Sequence, residues 1–458
     1  MLCCLIMAGG KGERFWPASS EKKPKQFLNI LGTETMLQST VKRLENLVLI
    51  ENIFICTSIK HVELVKEQLP KLPIRNIIQE PIGRNTAPCV VLTSLIAEKY
   101  YGNVTLIVVP SDHKIEDEDK YIKDLRVAAS FVEEKQDSIC ILGITPDRPE
   151  TGYGYIKVDS LEKNIDNIDI FKIEKFVEKP DKKTAEEYFN SKKFLWNCGM
   201  FIWQTNTIKK LAQEFIPDIY TKLTDVMENF EDNSFEQKLF EAYEGIEGVS
   251  IDVGIMEKAK DIYIIPGNFR WDDVGTWLSV ERNGYKDSSG NTFIGDIHAI
   301  QANNNFIMAG NKKIILMDID DLFVIDSEQY IVIGKKELIN NVAALKKQFE
   351  GSGIDNRSKT KSHILLDQQK LKITGSNMYT MDECVDNCSI EKNWNIKGSK
   401  DKEIGEVQLV FENDKNYIVG KSNEDNWFGV EVNHKTVETL KEMEADKVFK
   451  FFNNELSR

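Results

Sequence analysis

The sequence predicts an α/β protein: a Rossmann-like, mostly parallel sheet with helices on both faces, then a small all-β module and an α+β C-terminal tail. Three observations carry that expectation. From residue 1 to about 145, short apolar β-rich runs alternate with helical patterns; a glycine-rich turn follows the first apolar run directly; and after Gly290 the pattern changes to short strands with polar turns.

In chain order, apolar runs over 2–8, 52–57, 76–79, 105–109 and 138–144 read as strands, and the segments 35–47, 60–69, 86–101 and 119–135 read as helices. Strand and helix in strict alternation imply right-handed βαβ crossovers and a parallel sheet. In such sheets ligands bind outside the carboxyl ends of the strands, where the turn after residue 8 and the turn Val109-Pro110-Ser111-Asp112 fall. Strands over 154–158, 171–177 and 199–203, with helices around 185–189 and 211–230, complete the same domain and wall its cleft. Beyond it, 338–349 is helix-like, and EGSGIDNRSKTKS, polar with two glycines, reads as a linker to a lysine- and glutamate-rich tail. The division is therefore 1–285, 286–350 and 351–458, because 458 residues are too many for one ordinary core.

A net charge of −14 argues against a nucleic-acid surface, so cations that hold an anionic substrate must be concentrated locally. They are: Lys11, Arg14, Lys22, Lys23 and Lys25 stand against only Glu13 and Glu21 in the stretch that contains Gly9, Gly10 and Gly12. Side-chain-free turns let backbone NH groups reach phosphate oxygens, and flanking cations neutralise the charge. This is a polyphosphate site, yet neither familiar phosphate loop is present. The Walker pattern is missing, and Phe15 stands where the dinucleotide fingerprint needs its third glycine. The eight cysteines are scattered, several within apolar runs, as expected of reduced thiols in the cytoplasm. Cys384 and Cys388 lack a second pair at zinc spacing, and the five histidines are isolated. The start LCCLIMA lacks the basic flank of a signal peptide, and no apolar run approaches the roughly 18 residues of a membrane span.

The segment GGKGERFWPASSEKKPKQF, residues 9–27, resembles the signature of the sugar-nucleotide pyrophosphorylases, and its KQF ending resembles their mannose-1-phosphate guanylyltransferase branch. The resemblance spans about residues 1–345 and implies Mg2+-dependent, in-line transfer of GMP from GTP to mannose 1-phosphate, giving GDP-mannose and pyrophosphate. It implies that Ala8, Gly9, Gly10 and Gly12 cradle the nucleotide, that Arg14 and Lys25 contact phosphates, and that Asp112 and Asp273 hold the metal. Asp272, beside Asp273, is an alternative ligand or a cap. In EPIGRNTAP, Gly83 and Asn85 read the purine, although a helix-capping turn alone also accounts for Asn85. The resemblance further implies that Gly154, Glu178, Lys179, Asn197 and Asp252 bind the sugar phosphate, while Trp196 and Trp203 are expected to pack the core. The family further implies a β-helical module after the catalytic domain, a homodimer, and neither nucleic acid nor membrane as partner. With only His363 and His434 in the tail, a fused isomerase metal site is not expected. Two other readings stay open: another sugar 1-phosphate, such as a manno-heptose 1-phosphate, or a non-catalytic regulatory subunit.

Overall fold

The computed structural model describes residues 1–346, Lys11, Leu345 and the side chain of Glu13 aside, and beyond them five strands between 378 and 432. The chain forms two compact units, Met1–Ser352 and Gly353–Arg458. The first is built on a nine-stranded sheet. Its strands are β1 (Leu2–Met7), β2 (Ile53–Ser58), β3 (Ile77–Glu80), β4 (Thr105–Pro110), β6 (Ile139–Ile144), β7 (Gly154–Ile165), β8 (Ile168–Val177), β9 (Phe194–Gln204) and β10 (Ile262–Pro266), in the order β3-β2-β1-β4-β9-β6-β10-β8-β7. A two-residue ribbon, β5 (Lys114–Ile115) with β11 (Trp271–Asp272), lies apart from it.

β1 to β4 are parallel, as are β6 and β10, whereas β9 runs antiparallel to both β4 and β6. Strict alternation along β1 sets the layers. Cys4 and Ile6 join one core with Ile53, Ile107 and Val109; Cys3 and Leu5 join the other with Phe54, Leu106 and Val108. Helices α1 (Met36–Leu44), α2 (Val62–Gln68) and α4 (Glu118–Glu134) bury Leu37, Val41, Val65, Leu125 and Phe131 in the first core. On the opposite face α3 (Thr86–Tyr101) is buried from Ala87 to Ala97, because the sheet covers one side and two later helices the other. Burial on both sides of the parallel strands explains why their sequences are continuously apolar.

The expected single helix over 211–230 is two helices, Thr205–Phe215 and Pro217–Met227, since Pro217 can open a helix but cannot continue one. The expected strand over 199–203 begins earlier, at Phe194, and carries a bulge against β6. Of the expected helix over 338–349, Lys336–Asn341 is a 3-10 helix and 347–349 lie outside the described residues.

From Thr292 the chain coils into short parallel rungs. Thr292–Ile294 pairs with Phe306–Met308, which pairs with Leu322–Asp326, while Ile297–Ile300 pairs with Ile314–Met317. Asparagines stitch the rungs: Asn305 N donates to Asn291 Oδ1 at 2.9 Å, and Leu322 N donates to Asn305 Oδ1 at 2.9 Å. This β-helical module is not separate from the glycine loop. Phe15, Trp16, Leu28 and Ile30 share one buried cluster with Trp277, Phe306, Phe323 and Ile325, and Trp277 Nε1 donates to the Trp16 carbonyl at 3.2 Å.

In the second unit the described strands form a five-stranded antiparallel sheet, Met378–Met381, Trp427–Val432, Lys415–Ser422, Ile404–Glu412 and Ser389–Asn395 in spatial order. Cys384, Cys388, His363 and His434 lie outside the described residues, as does Lys11. Among the described residues no helix is long and apolar enough to cross a membrane.

Candidate active site

A cavity of about 450 Å3 opens beyond the carboxyl ends of β1, β3 and β4. Of the residues singled out in the sequence, Gly9, Gly10, Gly83, Asn85, Asp112 and Asp273 line it together with the whole set Gly154, Glu178, Lys179, Asn197 and Asp252.

The glycine loop is held from below. Gln26, buried, donates through Nε2 to the carbonyls of Ala8 at 2.8 Å and Gly10 at 3.0 Å. The Ala8 amide already donates to the Cys56 carbonyl at 2.8 Å, so Ala8 anchors the loop and does not face the cavity. Gly12 has φ +61, and a Cβ there would stand 2.5 Å from Lys25 N; only glycine permits this crossing of two backbones. Arg14 is exposed and outside the cavity lining, as are Lys22 and Lys23.

Lys25 is 5% exposed and reaches across the fold. Its Nζ lies 2.9 Å from Asp112 Oδ2 and donates to the Asp273 carbonyl at 2.7 Å, with the Phe15 ring 5.4 Å away. Burial pushes the Asp112 carboxyl up, but the charges of Lys25 and His113 and the Lys25 hydrogen bond outweigh it and hold the group below the usual carboxylate range. His113 is also shifted down, by burial against the pull of Asp112 and Asp273. Its Nδ1 faces Trp271 Nε1 at 3.1 Å.

The two neighbouring aspartates have separate jobs. Asp272 is bound by the Arg282 guanidinium and the Val274 amide and does not line the cavity. Asp273 does, and its Oδ1 accepts from Tyr153 OH at 2.7 Å and from Gly275 N at 3.2 Å. Burial and the Asp273 charge keep the Tyr153 hydroxyl protonated and donating. Two carboxylates beside a cavity suit a hard divalent cation, and the Lys25 ammonium already sits between the Asp112 carboxylate and the backbone carbonyl of Asp273.

At the β3 end Asn85 has φ +68 and caps α3 by accepting at Oδ1 from Thr86 N at 2.9 Å, while Thr86 Oγ1 accepts from Ile251 N at 2.8 Å. The Asn85 side chain is thus a cap, and the alternative raised by the sequence is present in the fold. Glu80, at the end of β3, is the residue that sequence reasoning passed over although it heads the EPIGRNTAP motif. It is 5% exposed, lines the cavity, and burial raises its carboxyl to about 7 against a hydrogen bond from Tyr243 OH. A lone acid closing a buried strand was the available signal.

The far end is a hydrogen-bonding pocket. Asn197 Nδ2 donates to Asp252 Oδ1 at 2.8 Å, and burial, reinforced by the Glu178 charge, lifts Asp252 to about 6. Glu178 Oε2 is buried with no protein partner. A Cβ at residue 154 would stand 2.6 Å from that oxygen, so glycine is what lets the carboxylate lie against the strand. Lys179, exposed at the rim, pairs with Glu178 Oε1 at 3.3 Å. Trp196 and Trp203 are buried; Trp196 packs edge-on against Tyr153 with centroids 5.1 Å apart.

A glycine loop over parallel strand ends, with a lysine-aspartate cluster at one end of a cleft and a pocket of acids and an amide at the other, is the architecture of a nucleotidyltransferase. Residues 3–289 match the family described as Nucleotidyl transferase. The chain is 33% identical to a mannose-1-phosphate guanylyltransferase of Escherichia coli over 364 residues, 78% of this chain and 77% of that protein. It is 35% identical to the mannose-1-phosphate guanylyltransferase of Salmonella montevideo over 369 residues, 79% and 76% of the two chains. A solved structure from Thermus thermophilus, described as mannose-1-phosphate geranyltransferase, matches with TM-score 0.68 at 31% identity, covering 76% of this chain and 99% of that one. The chain belongs to the nucleotidyl transferase family, in its mannose-1-phosphate guanylyltransferase branch.

Proposed function

We propose that the protein transfers GMP from GTP to α-D-mannose 1-phosphate, forming GDP-mannose and pyrophosphate. The observation that carries the reading is the continuity of one cavity from Asp112 and Asp273, with Lys25 behind them, to the Glu178-Asn197-Asp252 pocket, which supports a reading in which both substrates share it. A phosphate oxygen of the sugar phosphate attacks the α-phosphorus, the bond to the β-phosphate breaks on the opposite side, and pyrophosphate leaves. No protein nucleophile is needed; the barrier falls through alignment and charge.

Asp112 and Asp273 are the residues that would hold Mg2+, with Tyr153 fixing the Asp273 carboxylate. The bound ion would neutralise the α-phosphate and the departing pyrophosphate. Lys25, drawn from its two partners, offers a buried point charge to the reacting phosphates, and Arg14, exposed beside the loop, suits the departing end of the triphosphate. Guanine presents an N1–H and an amino group on one edge, and the Glu80 carboxyl in the cavity wall is an acceptor for them, with Gly83 and the Asn85 backbone alongside. At the other end the unpartnered Glu178 Oε2 and Asp252 accept from mannose hydroxyls, and Lys179 pairs with the sugar's phosphate.

The module leaves Ile300, Ile315 and Met317 exposed on one of its sheets and Ile331 and Ile333 on another, apolar surface that suits a homodimer contact. The six described cysteines are free, in keeping with a cytoplasmic setting. The test of function is pyrophosphate release with GTP and Mg2+. Release that depends on mannose 1-phosphate supports the reading. Release only with a manno-heptose or glucose 1-phosphate replaces the sugar, and none with any sugar points to a regulatory subunit.

A further inference from the structure

We propose that Cys56, Glu80 and Cys89 form a binding site for a thiophilic divalent cation of the zinc class, set in the wall of the nucleotide cavity, and that its occupation excludes nucleotide.

The three residues come from three elements that the sheet topology brings together: Cys56 from β2, Glu80 from the end of β3 and Cys89 from the first turn of α3. One ligand atom from each, two sulfurs and a carboxylate oxygen, lies within 4.8 Å of the others, the single such group among the described residues. Donors around one tetrahedral zinc, with bonds of about 2.0–2.3 Å, stand roughly 3.5–3.8 Å apart, so the spacing has to close by at most about 1 Å. All three side chains are deeply buried, and a glutamate placed between two thiols in an apolar wall is a costly arrangement unless something recovers that cost.

Cysteine sulfur and glutamate oxygen are both zinc donors, and three protein ligands are the number in zinc sites that keep a fourth position open. Here Glu80 and Cys89 line the cavity, so the open position faces it and gives the ion an entry path. Sulfur donors disfavour Mg2+, which separates this site from the Asp112-Asp273 end. Outer partners are in place as well. Tyr243 OH donates to Glu80 Oε1 at 3.2 Å, leaving the second oxygen for a metal, and Thr93 Oγ1 donates to the Cys89 carbonyl at 2.8 Å, bracing the start of α3. On binding, the thiol protons pass to solvent and the ion bonds to the two thiolates and the carboxylate. An ion held there takes the Glu80 oxygen out of use and fills space beside Gly9 and Thr86, which also line the cavity.

The test uses the reduced, chelator-treated full chain carrying Cys384→Ser and Cys388→Ser, so that the tail thiols cannot contribute. Co2+ is titrated and the near-ultraviolet thiolate-to-cobalt absorption is read. One equivalent is expected, displaced by Zn2+, with affinity lowered roughly tenfold or more in Cys89→Ser and in Cys56→Ser. No charge-transfer band, or a band unchanged in both variants, overturns the site and leaves adventitious metal only. If Cys89→Ser does not fold, Glu80→Gln reports on the same ligand set. GTP is expected to release the cobalt; cobalt retained at saturating GTP overturns the exclusion while leaving the site. Because the absorbance is read without turnover, failure of guanylyl transfer would not affect it.

Discussion

The two ends of the cavity solve opposite electrostatic problems. At the end that the proposed function gives to the phosphates, a buried ammonium meets the Asp112 carboxylate and the Asp273 carbonyl, and Asp112 is held ionised below its usual range. At the end proposed for the sugar two acids, Glu178 and Asp252, share a pocket with an amide, and Asp252 is pushed up to about 6. Polyanions need fixed countercharge that is already in place, whereas neutral hydroxyls need directional acceptors whose charge is partly suppressed. One sheet delivers both because its strand ends differ: the loops after β1 and β4 converge with residue 273 at one end, while β7, β8 and β9 form the other.

The difference should be visible in which constant each substitution moves. The largest effect is expected for Lys25→Ala, a loss of kcat of about 10²–10³-fold, the scale for one electrostatic contact to a developing charge. Near-normal turnover in that variant would remove Lys25 from the mechanism and dissolve the contrast. Next, Asp273→Asn should raise the Mg2+ concentration needed for half-maximal rate by on the order of 100-fold, and Tyr153→Phe by about tenfold, with the sugar phosphate KM little changed. A Mg2+ titration that is superimposable on the parent curve would show that Asp273 is not a ligand.

A smaller and opposite pattern is expected for Asp252→Asn: KM for the sugar phosphate up by roughly tenfold, the worth of about one hydrogen bond to a charged group, with KM for GTP unchanged. Equal changes in both constants would mean that the two ends are not independent. The smallest effect concerns pH. Asp252 rises from 3.8 to about 6 on folding, so across that window the folded chain keeps a proton that the unfolded chain has lost, and stability falls as pH rises. The Tm of Asp252→Asn relative to the parent should therefore be higher at pH 7 than at pH 4, by the linkage of that shift to folding. A constant difference would contradict the raised value.

The contrast also marks what was readable in the residues. The glycine loop, the strand alternation and α3 over Thr86–Tyr101 all depend on near neighbours, and each stands where the sequence places it. Gly154, Glu178, Lys179, Asn197 and Asp252, each inconspicuous alone, were singled out through the family resemblance, and all five line the cavity. Glu80, although it lies inside the quoted EPIGRNTAP, and Tyr153, next to Gly154, were not singled out, because a buried acid and a tyrosine acquire meaning only from what faces them.

Sequence by itself was sufficient for the βαβ order, the phosphate loop and the family, since turn sterics, periodic burial and a dense local motif act over a few residues. Tertiary structure alone decided that Lys25 spans Asp112 and residue 273, 248 positions away, and that Asp273 faces the cavity while Asp272 is bound by Arg282. It also brought ligand atoms of Cys56, Glu80 and Cys89 within 4.8 Å of one another. Pairings of that kind follow from the register and order of strands, and no local preference of the chain encodes which distant side chains those will set face to face.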